Sequence, residues 1–182
     1  MKYFELNDDI NFPNRWYLGD ILGVDNWELS TSVPEGIASL EIKLVHDGDE
    51  MDFTYTEAYG VPVISRKVKE VLDDIKGIDF IPVKIQSKRC LTDYFVLIVS
   101  ELIECVDEKC SEFQKFELND PVRPDKAGEY RAFMKLRLDT SNINGIEIFR
   151  VKKFEISIII SERVKERLKA IAVKGLDLIS VV

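Results

Sequence analysis

Hydrophobic and polar positions change period along this chain, and each change marks an element. Leu40-Glu41-Ile42-Lys43-Leu44 alternates strictly, the period of a strand with one buried face. Asp47-Gly48-Asp49-Glu50 then reads as a polar turn, since Asp and Gly both tolerate positive φ, and Phe53–Tyr55 reads as the returning strand of a hairpin. Val61–Ile64 is a short apolar segment, and Ser65 is placed to cap a helix with its side-chain oxygen. Val68, Val71, Leu72 and Ile75 follow at helical spacing as one apolar stripe, opposite Lys67, Lys69, Glu70, Asp73 and Asp74. Gly77 supplies the left-handed residue that commonly ends a helix, and Ile78–Ile85 continues as a strand.

The same order returns near the C-terminus. Phe154–Ile160 reads as a strand, Ser161 as a cap, Val164, Leu168 and Ile171 as a buried stripe, Gly175 as the stop and Leu176–Val182 as a strand. Ser65, Val68, Lys69, Glu70, Leu72 and Ile75 align without gaps on Ser161, Val164, Lys165, Glu166, Leu168 and Ile171. The chain thus reads as one strand–helix–glycine–strand module used at Pro62–Val83 and again at Ile158–Val182, although any short βαβ unit shares those features. Tyr94–Glu101 looks like a buried strand. Met134, Leu136 and Leu138 alternate with charged residues as another, and Ile146–Val151 adds one more. Pro121–Gly128 is the clearest loop. Many strands with two short amphipathic helices predict an α+β fold on a mixed or antiparallel sheet. No linker divides the sequence, so residues 1–182 read as one domain, with room for an N-terminal lobe over residues 1–60.

Composition narrows the partners. Apolar residues at 46% and charged residues at 32% are a soluble balance. A net charge of −8 disfavours nucleic acid, which needs clustered Lys and Arg, and suits a basic protein partner. Met1–Asp9 carries acidic residues and no apolar run fit for a signal peptide, and no stretch approaches the roughly 20 apolar residues of a membrane span. Cys90, Cys105 and Cys110 form an odd set without CxxC spacing and read as reduced thiols. A cytoplasmic residence without membrane contact follows.

Chemistry is hard to find. His46 is the single histidine, so zinc spacing and hydrolytic triads lack their parts, and no metal or cofactor is expected. Ser39, Ser65, Ser100 and Ser161 lack the glycine-elbow context of a nucleophile. Asp107-Glu108-Lys109 between Cys105 and Cys110 would not depress a thiol pKa. Asp8-Asp9 and Asp73-Asp74 read as solvated faces rather than acid–base pairs. Arg15-Trp16-Tyr17 and Trp27 read either as an aromatic recognition patch or, more in keeping with tryptophan, as packing. No catalytic residue is assigned.

Several segments resemble a known family. They include Arg15-Trp16-Tyr17-Leu18-Gly19, Gly60-Val61-Pro62-Val63-Ile64-Ser65, Glu104-Cys105-Val106-Asp107, Ile148-Phe149-Arg150 and Ile159-Ile160-Ser161-Glu162. The most particular is Arg123-Pro124-Asp125-Lys126-Ala127-Gly128-Glu129-Tyr130-Arg131. In order and coverage these are similar to the "immunity protein eleven" family of bacterial polymorphic-toxin systems. Phe80 is a departure, standing where relatives often carry a polar residue. The resemblance implies a non-enzymatic cytoplasmic protein that binds and neutralises a cognate toxin, and it transfers no site residues. A basic toxin would be drawn to acidic surface, and Asp47, Asp49, Glu50 and Asp52 form the densest such cluster. The alternative is a cytoplasmic interaction or regulatory module with no toxin partner. Exposed edge strands leave room for a homodimer.

Overall fold

The computed structural model describes residues 2–86 and 88–182. Its elements begin with β1 (Tyr3–Asp8), β2 (Tyr17–Leu22), β3 (Leu40–His46), β4 (Phe53–Tyr55), β5 (Pro62–Ser65) and helix α1 (Arg66–Leu72). There follow β6 (Ile78–Ile85), β7 (Tyr94–Val99), β8 (Leu102–Ile103), β9 (Glu112–Lys115), β10 (Tyr130–Lys135) and β11 (Ile148–Val151). Strand β12 (Phe154–Ser161), helix α2 (Glu162–Ala170) and β13 (Leu176–Ser180) come last.

One sheet runs β2-β3-β6-β7-β5-β4, a second runs β13-β1-β12-β11-β8, and β9 and β10 pair as a ribbon. Among the described strands, β3 with β6 and β8 with β11 are the parallel pairs. The α+β class with mixed and antiparallel sheets is therefore what forms. β5 and β6 both pair antiparallel with β7, so α1 carries the chain across the intervening strand. β12 and β13 likewise flank β1, and α2 makes that crossing.

Both helices and both sheets share a central core. Ile64, Val68, Leu72, Leu97 and Val99 bury there against Ile148, Ile158, Ile160, Val164 and Leu168. The other face of the six-stranded sheet packs Val96 and Ile98 on Trp16, Leu18 and Leu29. The other face of the five-stranded sheet packs Phe149, Val151 and Ile159 on Tyr3, Leu136 and Leu138. Cover on both faces explains why β7 and β12 read as continuous apolar runs rather than alternating ones.

Four local expectations are corrected. β3 and β4 do not form a hairpin, since β3 lies between β2 and β6 while β4 pairs only with β5. Residues 47–50 instead fold back on Asn14–Trp16, where the Asp49 amide donates to the Asn14 carbonyl at 2.6 Å. A Cβ on Gly48 would stand 2.4 Å from that carbonyl oxygen, so the approach needs glycine. Ser65 does not cap α1 with its side chain; its hydroxyl donates to Asp52 Oδ1 at 3.0 Å. Ser161 does cap α2, accepting from the Val164 amide at 3.3 Å. Met134 leaves the expected alternation at 62% exposure, because β10 ends at Lys135 and only Leu136 and Leu138 turn inward. Lastly, the second unit's final strand stops at Ser180 rather than Val182. Gly77 and Gly175 do adopt the left-handed conformation, at φ 80° and 84°. Phe80 is half-buried, with the Lys69 ammonium 4.9 Å from its ring centroid.

Candidate functional site

The acidic cluster expected to meet a partner is divided by the fold. Asp47 is exposed and paired with Lys88, whose ammonium also donates to the Gly48 carbonyl at 2.7 Å. That lysine holds the Asp47 carboxyl below its ordinary range. Asp49 is exposed and accepts from the Asn14 amide group at 2.9 Å. Glu50 is half-buried, accepting from the Leu91 amide at 3.1 Å and the Tyr94 hydroxyl at 3.4 Å. Asp52 is turned inward at 13% side-chain exposure. It accepts from Ser65 Oγ and from the Lys174 amide at 2.8 Å, and it pairs with Lys67 at 2.7 Å. Only Asp47 and Asp49 thus present carboxylates at an exposed position.

A second surface feature is a cleft of about 550 Å³ gathered from four separate stretches of chain. Asp25 and Trp27 come from the segment after β2, and Tyr59 from the β4–β5 loop. Phe116, Arg123, Asp125, Lys126 and Glu129 come from the β9–β10 connection, with Tyr130 and Arg131 opening β10. Lys153 to Ile156 close it from the β11–β12 turn. The Arg123–Arg131 run singled out in the sequence therefore supplies six lining residues. Trp16 and Trp27 part company here. Trp16 is fully buried, donating to Thr54 Oγ1 at 3.1 Å, whereas Trp27 keeps 37% exposure. Trp27 meets Tyr59 edge-on at 5.7 Å, and the Lys126 ammonium lies 4.5 Å from the Trp27 ring centroid.

Ion pairs run along the walls of the cleft. Arg123 pairs with Asp125 and Lys126 with Glu129, at 2.8 and 2.7 Å, and the Arg123 guanidinium keeps the Asp125 carboxyl ionised well below its usual range. Tyr59 and Lys153 adopt left-handed backbone at φ 58° and 69° without being glycine. Such strain persists only where surrounding structure enforces it. Behind the Glu155 wall, Arg150 is wholly buried and donates through Nη1 to the Glu155 carbonyl. Its Nε and Nη2 have no partner among the described residues, and burial pulls its pKa down to about 10. Nothing in the hydrophobic pattern signalled Tyr59 or the buried Arg150. The sequence signals for this cleft were Trp27, read either as recognition surface or as packing, and the Arg123–Arg131 run.

The three thiols are not poised as nucleophiles. Burial pushes the Cys105 thiol up to about 12 and the Cys90 thiol to about 11, so neither is a thiolate at neutral pH. Cys110 is exposed, and its hydrogen bond with Asp107 raises it too. His46 is exposed and stands edge-on to Tyr17 at 6.0 Å. Among the described residues, no group of three or more His, Cys, Asp or Glu side chains could hold a metal, and no helix is long and apolar enough to cross a membrane.

Comparison with known proteins gives one family. A family model described as an immunity protein family, Imm11, matches residues 33–182. No curated protein matches the chain. The matched range takes in β3 onward and most of the cleft, but Asp25 and Trp27 precede it.

Proposed function

The chain belongs to the Imm11 immunity protein family, and from that premise we propose that it neutralises a cognate bacterial toxin by stoichiometric, non-catalytic binding in the cytoplasm. The family match over residues 33–182 carries this reading. The toxin is basic, in keeping with the net charge of −8, and is met by exposed acidic positions and by the aromatic cleft. Asp47 and Asp49 contribute at the acidic turn through long-range attraction; Glu50 and Asp52 support the turn from beneath. The whole chain acts as one domain, and its two strand–helix–glycine–strand units are one packing solution used twice. Supporting that, each helix spans a single intervening strand and is followed by a left-handed glycine just before the unit's last strand.

Co-expression tests the function. The toxin domain encoded beside this gene should kill host cells alone and spare them when this chain is co-expressed. Equal killing with and without it would refute immunity and leave a regulatory interaction module as the better reading. In the complex, Asp47→Lys with Asp49→Lys should lower the association rate about tenfold at low salt with a smaller change in dissociation. Unchanged association kinetics would remove the acidic turn from the interface.

A further inference from the structure

Three properties of the Trp27 cleft coincide. Its aromatic surface is accessible, with Trp27 at 37% and Tyr59 at 49% exposure set edge to face. It already holds a primary ammonium, since Lys126 Nζ lies 4.5 Å from the Trp27 ring centroid. And its ion pairing is incomplete on the acidic side. Arg123 and Asp125 satisfy each other, Lys126 satisfies Glu129, and Lys153 turns to Glu104 at 3.1 Å. Asp25 and Glu155 form no salt bridge among the described residues; their carboxylates accept backbone amides, from Trp27 at 2.9 Å and Lys153 at 3.1 Å, and Glu155 alone has a cation behind it, the buried Arg150. Arg131, the remaining cation, is set over the Phe116 ring at 5.7 Å. An electron-rich ring face beside carboxylates that form no salt bridge is a receptor for a cation.

Resting on the reading of this chain as a binder of a basic partner, we propose that the cleft receives a lysine or arginine side chain of that partner. Lys126 occupies the place in the free protein and is displaced on binding. The occupant follows from charge complementarity. An anionic group would enter a cleft whose Asp25 and Glu155 carboxylates form no salt bridge, whereas a cation brings a counter-charge there and replaces Lys126 over the indole without leaving the ring bare. Lys126 is therefore an internal competitor. Removing it should tighten binding, the opposite of what deleting a lysine does at a site for anions.

The test needs no knowledge of the toxin. The indole N–H cross-peak of Trp27 is assigned by its loss in Trp27→Phe, and the buried Trp16 indole serves as the internal reference. The chain is titrated with two blocked peptides of alternating glycine and either lysine or glutamate. The lysine peptide should move the Trp27 peak saturably and the glutamate peptide should not. Lys126→Met should bind the lysine peptide about threefold more tightly. Asp25→Asn with Glu155→Gln, which retains both backbone hydrogen bonds, should bind it at least about fivefold more weakly. Movement by the glutamate peptide that is lost in Lys126→Met would overturn the proposal. So would equal lysine-peptide affinity in Lys126→Met and the wild type, or no movement with either peptide up to about 10 mM. Rescue of toxin-expressing cells alongside any of those results would leave immunity standing and this cleft's role refuted.

Discussion

Removing the Asp52 carboxylate measures whether it belongs to a binding surface or to the frame. Its side chain is 13% exposed and joins three separate pieces of chain. Ser65, at the β5–α1 junction, is 1% exposed, so Asp52→Ala strands its hydroxyl without an acceptor inside the protein. A lost bond to a charged acceptor with a buried donor left behind costs roughly 1.5–3 kcal/mol. The Lys174 amide can turn to water, and the Lys67 pair, with a lysine 42% exposed, is worth about 0.5 kcal/mol after solvent screening. Together these come to about 3 kcal/mol, or about 6–12 °C in melting temperature for a chain of this size. Urea denaturation monitored by circular dichroism reads it directly, with Asp52→Ala/Ser65→Ala as the double-mutant partner. Because Ser65→Ala removes the stranded donor, the double variant should be clearly more stable than the two single losses added together. A loss below about 1 kcal/mol in Asp52→Ala would mean that the carboxylate is free for a partner and that the frame does not need it.

Burial raises the Glu5 carboxyl above its ordinary value despite the Ser157 hydroxyl that donates to it. A carboxyl with a raised folded pKa favours the fold when protonated, and that contribution is lost as pH rises through the folded value. Glu5→Gln should thus stabilise the protein at neutral pH, and the gain should vanish below about pH 4.5 in melting curves taken across pH; a gain that persists in acid would contradict the burial argument. Gly175→Ala should cost clearly more than Gly128→Ala. Both glycines have positive φ, but only at Gly175 would a Cβ stand 2.6 Å from a backbone oxygen, that of Phe53, so equal losses on denaturation would show that contact to be soft. With a thiol-reactive disulfide at neutral pH, Cys110 should react first and Cys105 only on unfolding, while Asp107→Asn should speed Cys110; an unchanged rate would mean that Asp107 does not restrain the thiol. Arg150→Met should leave global stability within about 1 kcal/mol, because it exchanges a buried cation with two unpartnered nitrogens for an apolar chain; a loss of several kcal/mol on denaturation would show that those nitrogens are satisfied in solution.

Periodicity located the frame because the frame is built from periodic burial. The stripes of α1 and α2 report the one side that meets the central core, the continuous runs in β7 and β12 report cover on both faces, and the two left-handed glycines mark where the chain turns back after each helix. The polar turn misled for the same reason. Asp-Gly marks a reversal, but only the tertiary course of Asn14–Trp16 decides that the reversal docks on that segment instead of closing a hairpin. Ser65 and Ser161 are similar in local sequence context, and their roles differ with the carboxylate each hydroxyl meets: Asp52 draws Ser65 Oγ at 3.0 Å, whereas Glu147 stands 3.5 Å from Ser161 Oγ, which still accepts from the Val164 amide. The cleft was legible only in part. Its walls come from residues about 130 apart in sequence, and no local pattern says that Tyr59 will face Trp27.

That origin bears on how the protein could acquire a partner. Asp25 and Trp27 precede the family-matched residues, yet the segment that carries them is fixed by the shared frame. Trp16 is buried and bonded to Thr54 on β4, Arg15 pairs with Asp8 at 2.8 Å, and β1 lies between β12 and β13. The Asn26 side chain, almost wholly buried, both donates to the Ile21 carbonyl and accepts from the Ile21 amide, at 2.8 and 2.9 Å. The turn bearing Trp27 is therefore pinned one residue before the exposed indole. A side chain held by its backbone and free at its tip can change without unsettling the core, because its substitution removes little buried apolar area. Under the proposed function, choosing one toxin over another is a difference in affinity set by a few well-placed contacts. Positions 25, 27, 59 and 126 meet that requirement, whereas the core residues of α1 and α2 cannot, since every change there is felt by both sheets at once.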